Sequence, residues 1–338
     1  MPAAVACLLP ASAFAGVIQW VTVGDPGNTA DTAPSGYGAV ATSFQIMKYE
    51  FTNQQYTDFL NSVDASGTNP NSVYNTDMGS NARGGISFTS GNASGSKYAV
   101  RSDMGDKPVN YVSWFDAARV SNWLMNGATS LSSTETGAYT LNDATTGDAP
   151  ARNNGATFYV PTVDQWYKTA YYQGSGTNAG YWDYATQSDT APTAVTAGET
   201  GIGSAGNTGN FANFTSAADW NSQNGNVTTV GTNGGPSAYG AFDMSGNIGE
   251  WNDLTGAADS SRGLRGGNYR SGYPFFVSSS LSGADDPSVE GGLNGFRLAS
   301  PVSGPSFVPE IDPNSLGSVL ALVLGSLGLL ERRRLKAA

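Results

Sequence analysis

The chain of 338 residues is 39 % apolar and 11 % aromatic, enough for a buried core, and its many Gly, Asn, Ser and Thr residues describe one loop-rich globular domain rather than a disordered chain. A net charge of −11 argues against nucleic acid as a partner, while the acidic surface suits either Ca²⁺ or plain solubility. A single cysteine, Cys7, and the absence of histidine exclude the common zinc sites, three-histidine iron sites and Ser-His or Cys-His catalysis from everything after the N-terminal segment.

Residues 2–15 form a short apolar run ending Ala13-Phe14-Ala15, the small-x-small pattern that signal peptidase accepts. Residues 1–15 are therefore expected to be a signal peptide, with Gly16 as the mature start and export as the consequence. The basic residue expected before the run is missing, which points to a start codon assigned too far downstream; the alternative is a buried apolar N-terminus. No Leu stands three residues before Cys7, which weakens a lipoprotein reading.

Three helices are predicted in chain order. Thr52 caps the first, where Tyr56, Phe59, Leu60 and Val63 recur at i, i+3, i+4 and i+7. Ser113 caps the second with Asp116 three residues on; Val120, Trp123 and Leu124 form its apolar face and Gly127 stops it. Thr162 and Gln165 make a third capping box ahead of Trp166 and Ala170. Residues 185–235 are rich in Gly, Asn and Thr and read as long loops. Within them Gly201-Ile202-Gly203-Ser204-Ala205-Gly206 matches the dinucleotide fingerprint, but neither a strand before it nor a helix after it supports that use.

Farther on, Asp243 to Glu250 is the best constellation for a hard cation, since Ca²⁺ takes six to eight oxygens and a turn offers carboxylates with backbone carbonyls. The competing reading is that Asp243 and Glu250 only cap and brace the turn. Arg297, preceded by an aromatic, suits a buried hydrogen-bond network better than a ligand. Asp285 and Asp286, expected in a loop before Pro287, are expected to face solvent. Residues 303–313 read as a Pro-containing linker, followed by the apolar stretch Leu316 to Leu330 and then Glu331-Arg332-Arg333-Arg334. Fifteen helical residues reach about 22 Å, short of a hydrocarbon core of about 30 Å, which suits a transient anchor.

With Val308-Pro309-Glu310-Ile311-Asp312-Pro313 ahead of it, this end resembles a PEP-CTERM sorting signal. The resemblance implies a motif in 303–313, a transmembrane segment over 314–330, a basic cytoplasmic tail over 331–338, and processing by an exosortase of a Gram-negative bacterium. An ordinary C-terminal anchor predicts the same orientation.

Between the two ends, Tyr49-Glu50-Phe51-Thr52-Asn53-Gln54-Gln55-Tyr56, Pro108-Val109-Asn110-Tyr111-Val112-Ser113-Trp114-Phe115-Asp116-Ala117, Val160-Pro161-Thr162-Val163-Asp164-Gln165-Trp166, the run Tyr239 to Trp251, and Leu264-Arg265-Gly266-Gly267-Asn268-Tyr269 with Gly295-Phe296-Arg297 follow one another. Together they resemble the formylglycine-generating enzyme (sulfatase-modifying factor) family over roughly residues 40 to 300. The implied fold is α+β, related to C-type lectins and low in regular secondary structure, over residues 16–302. Family members oxidise a substrate cysteine with copper held by two thiolates of their own. Those positions fall here on Ser271 and Phe276, neither of which can hold Cu(I). The resemblance also implies Arg265, Asn268, Tyr269 and Arg297 around the vacated site. It implies calcium on the Asp243 and Glu250 side chains and the Gly246 and Ile248 carbonyls, and a second calcium on Asn213 and the Phe214 carbonyl.

The expected function is a non-catalytic binding or structural module carrying calcium and no copper. It is expected to be delivered to the cell surface or extracellular matrix through an inner-membrane intermediate, where exopolysaccharide or a surface protein could be its partner. The alternatives are an enzyme of cysteine-independent chemistry and a calcium-dependent, lectin-like carbohydrate binder.

Overall fold

The computed structural model describes residues 17–33 and 36–302. The signal peptide, sorting motif and membrane segment expected from the sequence lie outside these residues. No helix among the described residues is long and apolar enough to cross a membrane.

The described chain has a mixed α and β architecture in which long loops outweigh regular elements. Strands β1 (Trp20–Val23) and β2 (Phe44–Met47) pair antiparallel, and β11 (Ala299–Pro301) joins the other side of β2, so both ends of the domain meet in one sheet. Helix α1 (Asn53–Val63) follows β2, and a short helix α2 (Asp77–Ser80) leads into the hairpin β3 (Ile86–Phe88) and β4 (Tyr98–Val100). Helices α3 (Trp114–Met125) and α4 (Val163–Tyr171) come next. The predicted loops at 185–235 hold only a two-residue parallel pair, β5 (Thr193–Ala194) and β6 (Phe211–Ala212). The second sheet follows, in the order β10-β7-β8-β9, from β7 (Gly249–Asn252), β8 (Arg262–Arg265), β9 (Gly283–Asp285) and β10 (Asn294–Gly295). Asp285 thus ends a short edge strand rather than lying in a loop, although both it and Asp286 are exposed.

All three predicted helix starts are present as reciprocal capping boxes. Thr52 caps with Gln55, Ser113 with Asp116 and Thr162 with Gln165, each pair satisfying two backbone N–H groups that the first helical turn leaves without partners. Helix α3 is buried along almost its whole length, so its polar residues need internal partners. Arg119 pairs with Glu135 at 2.8 Å, and the Asn122 amide donates to the Thr134 and Tyr139 carbonyls. The core cluster that α3 joins includes Phe51, Tyr56, Phe59 and Trp251, with Phe59 against Trp123 of the helix at 5.4 Å between centroids, and Phe51 stacks on Phe296 at 4.9 Å. That stack ties the segment entering α1 to the one between β10 and β11.

Candidate functional site

After β8 the chain turns through Gly266 and Gly267 with φ of 88° and 70°, a region side chains rarely enter. A Cβ on Gly267 would lie 2.1 Å from the Phe276 carbonyl oxygen, so the close approach of the 3₁₀ turn Pro274–Val277 requires glycine there. Asn268, Tyr269 and Ser271 share the turn that follows, and the Gly267 contact brings the Phe276 backbone against it. Ser271 is buried and its Oγ accepts the Asn268 N–H at 3.0 Å. With no histidine base in the chain, this hydroxyl braces a turn and is no activated nucleophile. Phe276 instead belongs to a solvent-facing aromatic patch with Tyr273, 71 % exposed, and Phe275, 55 % exposed.

Of the candidate pocket residues Arg265, Asn268, Tyr269 and Arg297, all but Asn268 are buried. Tyr269 is buried, its hydroxyl donates to the Gly292 carbonyl at 3.3 Å, and burial pushes its pKa up to about 12. Arg265 is buried too; it donates to the Ser279 and Leu281 carbonyls and lies 4.6 and 5.1 Å from the Tyr37 and Tyr167 ring centroids. Asn268, half-buried, turns its Oδ1 back to the Arg270 N–H at 3.0 Å. Arg265 Nη1, the Tyr269 hydroxyl and Asn268 Oδ1 are thus taken up by internal partners, while Arg265 Nε and Nη2 are buried without a hydrogen-bond acceptor and lie against the tyrosine rings.

Arg297 forms the buried network expected of it. Its Nε and Nη2 donate to the two Glu250 oxygens, both at 2.6 Å, and Glu250 Oε2 also accepts the Trp166 indole N–H at 2.7 Å. Further bonds to the Met47 carbonyl at 3.2 Å and the Phe242 carbonyl at 2.8 Å let one guanidinium join β2, Phe242 and β7, with α4 reached through Glu250. Asp243 is held separately, its oxygens accepting from the Asn233 amide at 2.8 Å and the Gly231 N–H. Burial raises its pKa. Among the described residues, no group of three or more His, Cys, Asp or Glu side chains is gathered to hold a metal. A carboxylate offers about four acceptor positions, of which Glu250 uses three. The geometry thus supports the bracing role for Glu250 and Asp243.

The second expected cation position fits better. Asn213 is fully buried, and its amide nitrogen donates to the Asn226 carbonyl at 2.9 Å, the Thr228 hydroxyl at 3.1 Å and Asn247 Oδ1 at 3.1 Å. Because the Asn226 carbonyl can only accept, the nitrogen must face it, which leaves Asn213 Oδ1 buried without a donor. Such an oxygen carries a desolvation cost of about 1–3 kcal/mol that a cation would remove. The Phe214 carbonyl is already an acceptor for the Thr215 hydroxyl at 2.7 Å. Gly246 places the neighbouring backbone: with φ of 91°, its added Cβ would lie 2.4 Å from the Asn213 carbonyl oxygen.

Two residues of this centre were not anticipated. Asn247 links its parts, donating to Glu50 Oε2 at 2.9 Å and accepting from Asn213. Glu50 is fully buried with Oε1 unpartnered; burial, then the Asp243 and Glu250 charges, raise its pKa well above the usual carboxylate range. The available signal was an acidic residue between Tyr49 and Phe51, where a strand entering a capped helix is otherwise buried.

The family model described as "Sulfatase-modifying factor enzyme 1-like domain" matches residues 20–302, and the chain belongs to that family. No curated protein matches it. Among solved structures the chain is similar to one described as CarF, at 21 % identity over 85 % of this chain and 99 % of that one, with a TM-score of 0.49. It is also similar to variable protein 1 of Treponema denticola, at 15 % identity over 86 % and 98 % of the two chains and a TM-score of 0.44. A third is PvdO from Pseudomonas aeruginosa, at 19 % identity over 84 % and 92 % and a TM-score of 0.40.

Proposed function

We propose that this domain is an exported, non-catalytic binding or structural module. In this reading signal peptidase and an exosortase process its two ends and deliver it to the surface of a Gram-negative cell. The observation that carries the reading is the chemistry at Ser271 and Phe276. One offers a hydroxyl already spent on the Asn268 N–H and the other an exposed ring, and no cysteine follows Cys7 to supply the paired thiolates that Cu(I) chemistry needs. The exposed aromatics at Tyr273, Phe275 and Phe276 suit a surface that binds rather than reacts. Incubated with copper, oxygen and a cysteine peptide bearing a sulfatase motif, the protein is expected to leave the peptide thiol unchanged by mass spectrometry. Formation of formylglycine would overturn the reading.

Calcium belongs to the same proposal, with Asn213 Oδ1 as its best-supported ligand. Ca²⁺ at a hundredfold excess over Kd is expected to stabilise the native state by about 2.7 kcal/mol, a rise of a few degrees in Tm for a domain of this size. Asn213→Ala should remove that rise, and Asn213→Asp, which keeps an oxygen, should restore it. If Asn213→Ala melts with the wild-type response to Ca²⁺, the assignment fails.

A further inference from the structure

A cleft of about 430 Å³ has none of Asn268, Tyr269, Ser271 and Phe276 in its lining; Met47, whose carbonyl accepts from Arg297, and Glu50 are the lining residues that it shares with the networks described above. Its wall includes Gln19, Tyr49, Thr52, Gln54, Gln55 and Asp106, drawn from the strand segment before β1, the end of β2, the first turn of α1 and the loop before α3. The volume lies within the range of about 300–1,000 Å³ typical of small-molecule sites. The loop at Asp106 is fixed to the helix start, since the Gln54 N–H donates to the Gly105 carbonyl at 3.0 Å and the Asn53 N–H to the Lys107 carbonyl at 2.9 Å. Those bonds also use the helix N–H groups that would otherwise attract an anion.

The chemistry of the wall is uncharged in effect. No Lys or Arg lines it. The Asp106 carboxylate is neutralised by Lys107 Nζ at 2.6 Å and accepts the Thr229 hydroxyl at 3.1 Å, while Lys107 itself lies 5.2 Å from the Trp220 ring centroid. Glu50, also in the lining, is fully buried and accepts from the Asn247 amide, so what remains is a set of planar amides, a threonine hydroxyl, an aromatic ring and the apolar Val17, Met47 and Val230. Tyr49 is held in place by stacking on Phe242 at 5.5 Å and by Gly231, whose added Cβ would fall 2.6 Å from the tyrosine Cε1. Gln55 spends its amide oxygen on the Thr52 N–H at 2.9 Å, and Gln54 gives its amide N–H to Asp58 at 3.0 Å. Among the described residues, nothing hydrogen-bonds the Gln19 side chain or the Tyr49 hydroxyl. Amides that donate and accept in one plane, beside an aromatic face for C–H groups, match vicinal hydroxyls on an apolar ring face.

From this we infer that the cleft binds an uncharged saccharide of one or two hexose units. The inference rests on the reading of the domain as a binding module and gives that module a ligand class and a location. Isothermal titration with glucose, galactose, N-acetylglucosamine, maltose, cellobiose and chitobiose should detect binding of at least one. Gln54→Ala, at an exposed position, and Tyr49→Ala should each weaken it at least tenfold, with circular dichroism confirming the fold of each variant. Leu131→Ala, 95 % exposed and outside the cleft, should leave it unchanged.

Binding of glucuronate or putrescine in preference to every neutral sugar would overturn the inference. So would binding of none, or a sugar affinity that falls with Leu131→Ala and not with Gln54→Ala. The peptide-thiol assay is read separately, so a protein that binds no sugar yet leaves the thiol intact refutes this inference alone.

Discussion

Arg297→Met is expected to destabilise the domain by about 3–5 kcal/mol, the range seen when one partner of a buried ion pair is removed. Both Glu250 oxygens receive the guanidinium at 2.6 Å, and neither side chain reaches solvent. The substitution would leave a buried carboxylate with only the Trp166 N–H, and would free the Met47 and Phe242 carbonyls of their donor. Urea denaturation followed by tryptophan fluorescence measures the loss. The double variant Arg297→Met with Glu250→Leu should recover part of it, because no unpaired charge remains. A cost below about 1 kcal/mol for Arg297→Met would mean that the network does not hold β2, β7 and α4 together.

Stability is expected to fall as pH rises from about 4 to about 7, the reverse of ordinary acid denaturation. The cause is a set of carboxyls that folding removes from water. Burial raises Asp116 to about 6 against the pull of its Ser113 bonds and Arg119. It raises Asp253 to about 7 although Arg262 stands 3.0 Å away and Tyr139 donates at 2.9 Å. Burial and the Asp116 charge raise Glu290 to about 7, and Glu50 and Asp243 move in the same direction. In this window the folded state keeps protons that the unfolded chain releases, so each rise in pH favours unfolding. Each tenfold change in proton affinity is about 1.4 kcal/mol, and the set is expected to raise Tm at pH 5 above that at pH 8 by roughly 5–10 °C. Asp116→Asn with Glu290→Gln should flatten the profile. A Tm that climbs steadily from pH 4 to pH 8 would refute the argument.

The helix starts show what is legible in one sequence. A capping box needs a hydroxyl and, three residues on, a carboxylate or amide, and Thr52, Ser113 and Thr162 meet that condition within a single turn. The loop character of 185–235 is equally local, because Gly, Asn and Thr set backbone preferences without distant help. The family motifs also place Arg265, Asn268, Tyr269, Ser271 and Phe276 along one stretch of chain; in the structure Ser271 Oγ accepts the Asn268 N–H, and Gly267 lies against the Phe276 carbonyl.

Which polar group faces which was settled only in three dimensions. Glu250 meets Arg297 across 47 residues, and Asn247 meets Glu50 across 197. Nothing in the local pattern distinguishes a carboxylate that brackets a guanidinium from one that waits for Ca²⁺. The same holds for the cleft at Tyr49, whose walls come from four segments of chain. Sequence by itself determined the family motifs, the single cysteine at Cys7 and the starts of the helices, because each depends on residue identity at short range. Tertiary structure decided that Arg265, Tyr269 and Arg297 are core rather than pocket, that Asn213 keeps an unspent oxygen, and that an open cleft lies elsewhere. A buried polar group must find its partner wherever folding brings one, and that partner is rarely a neighbour in the chain.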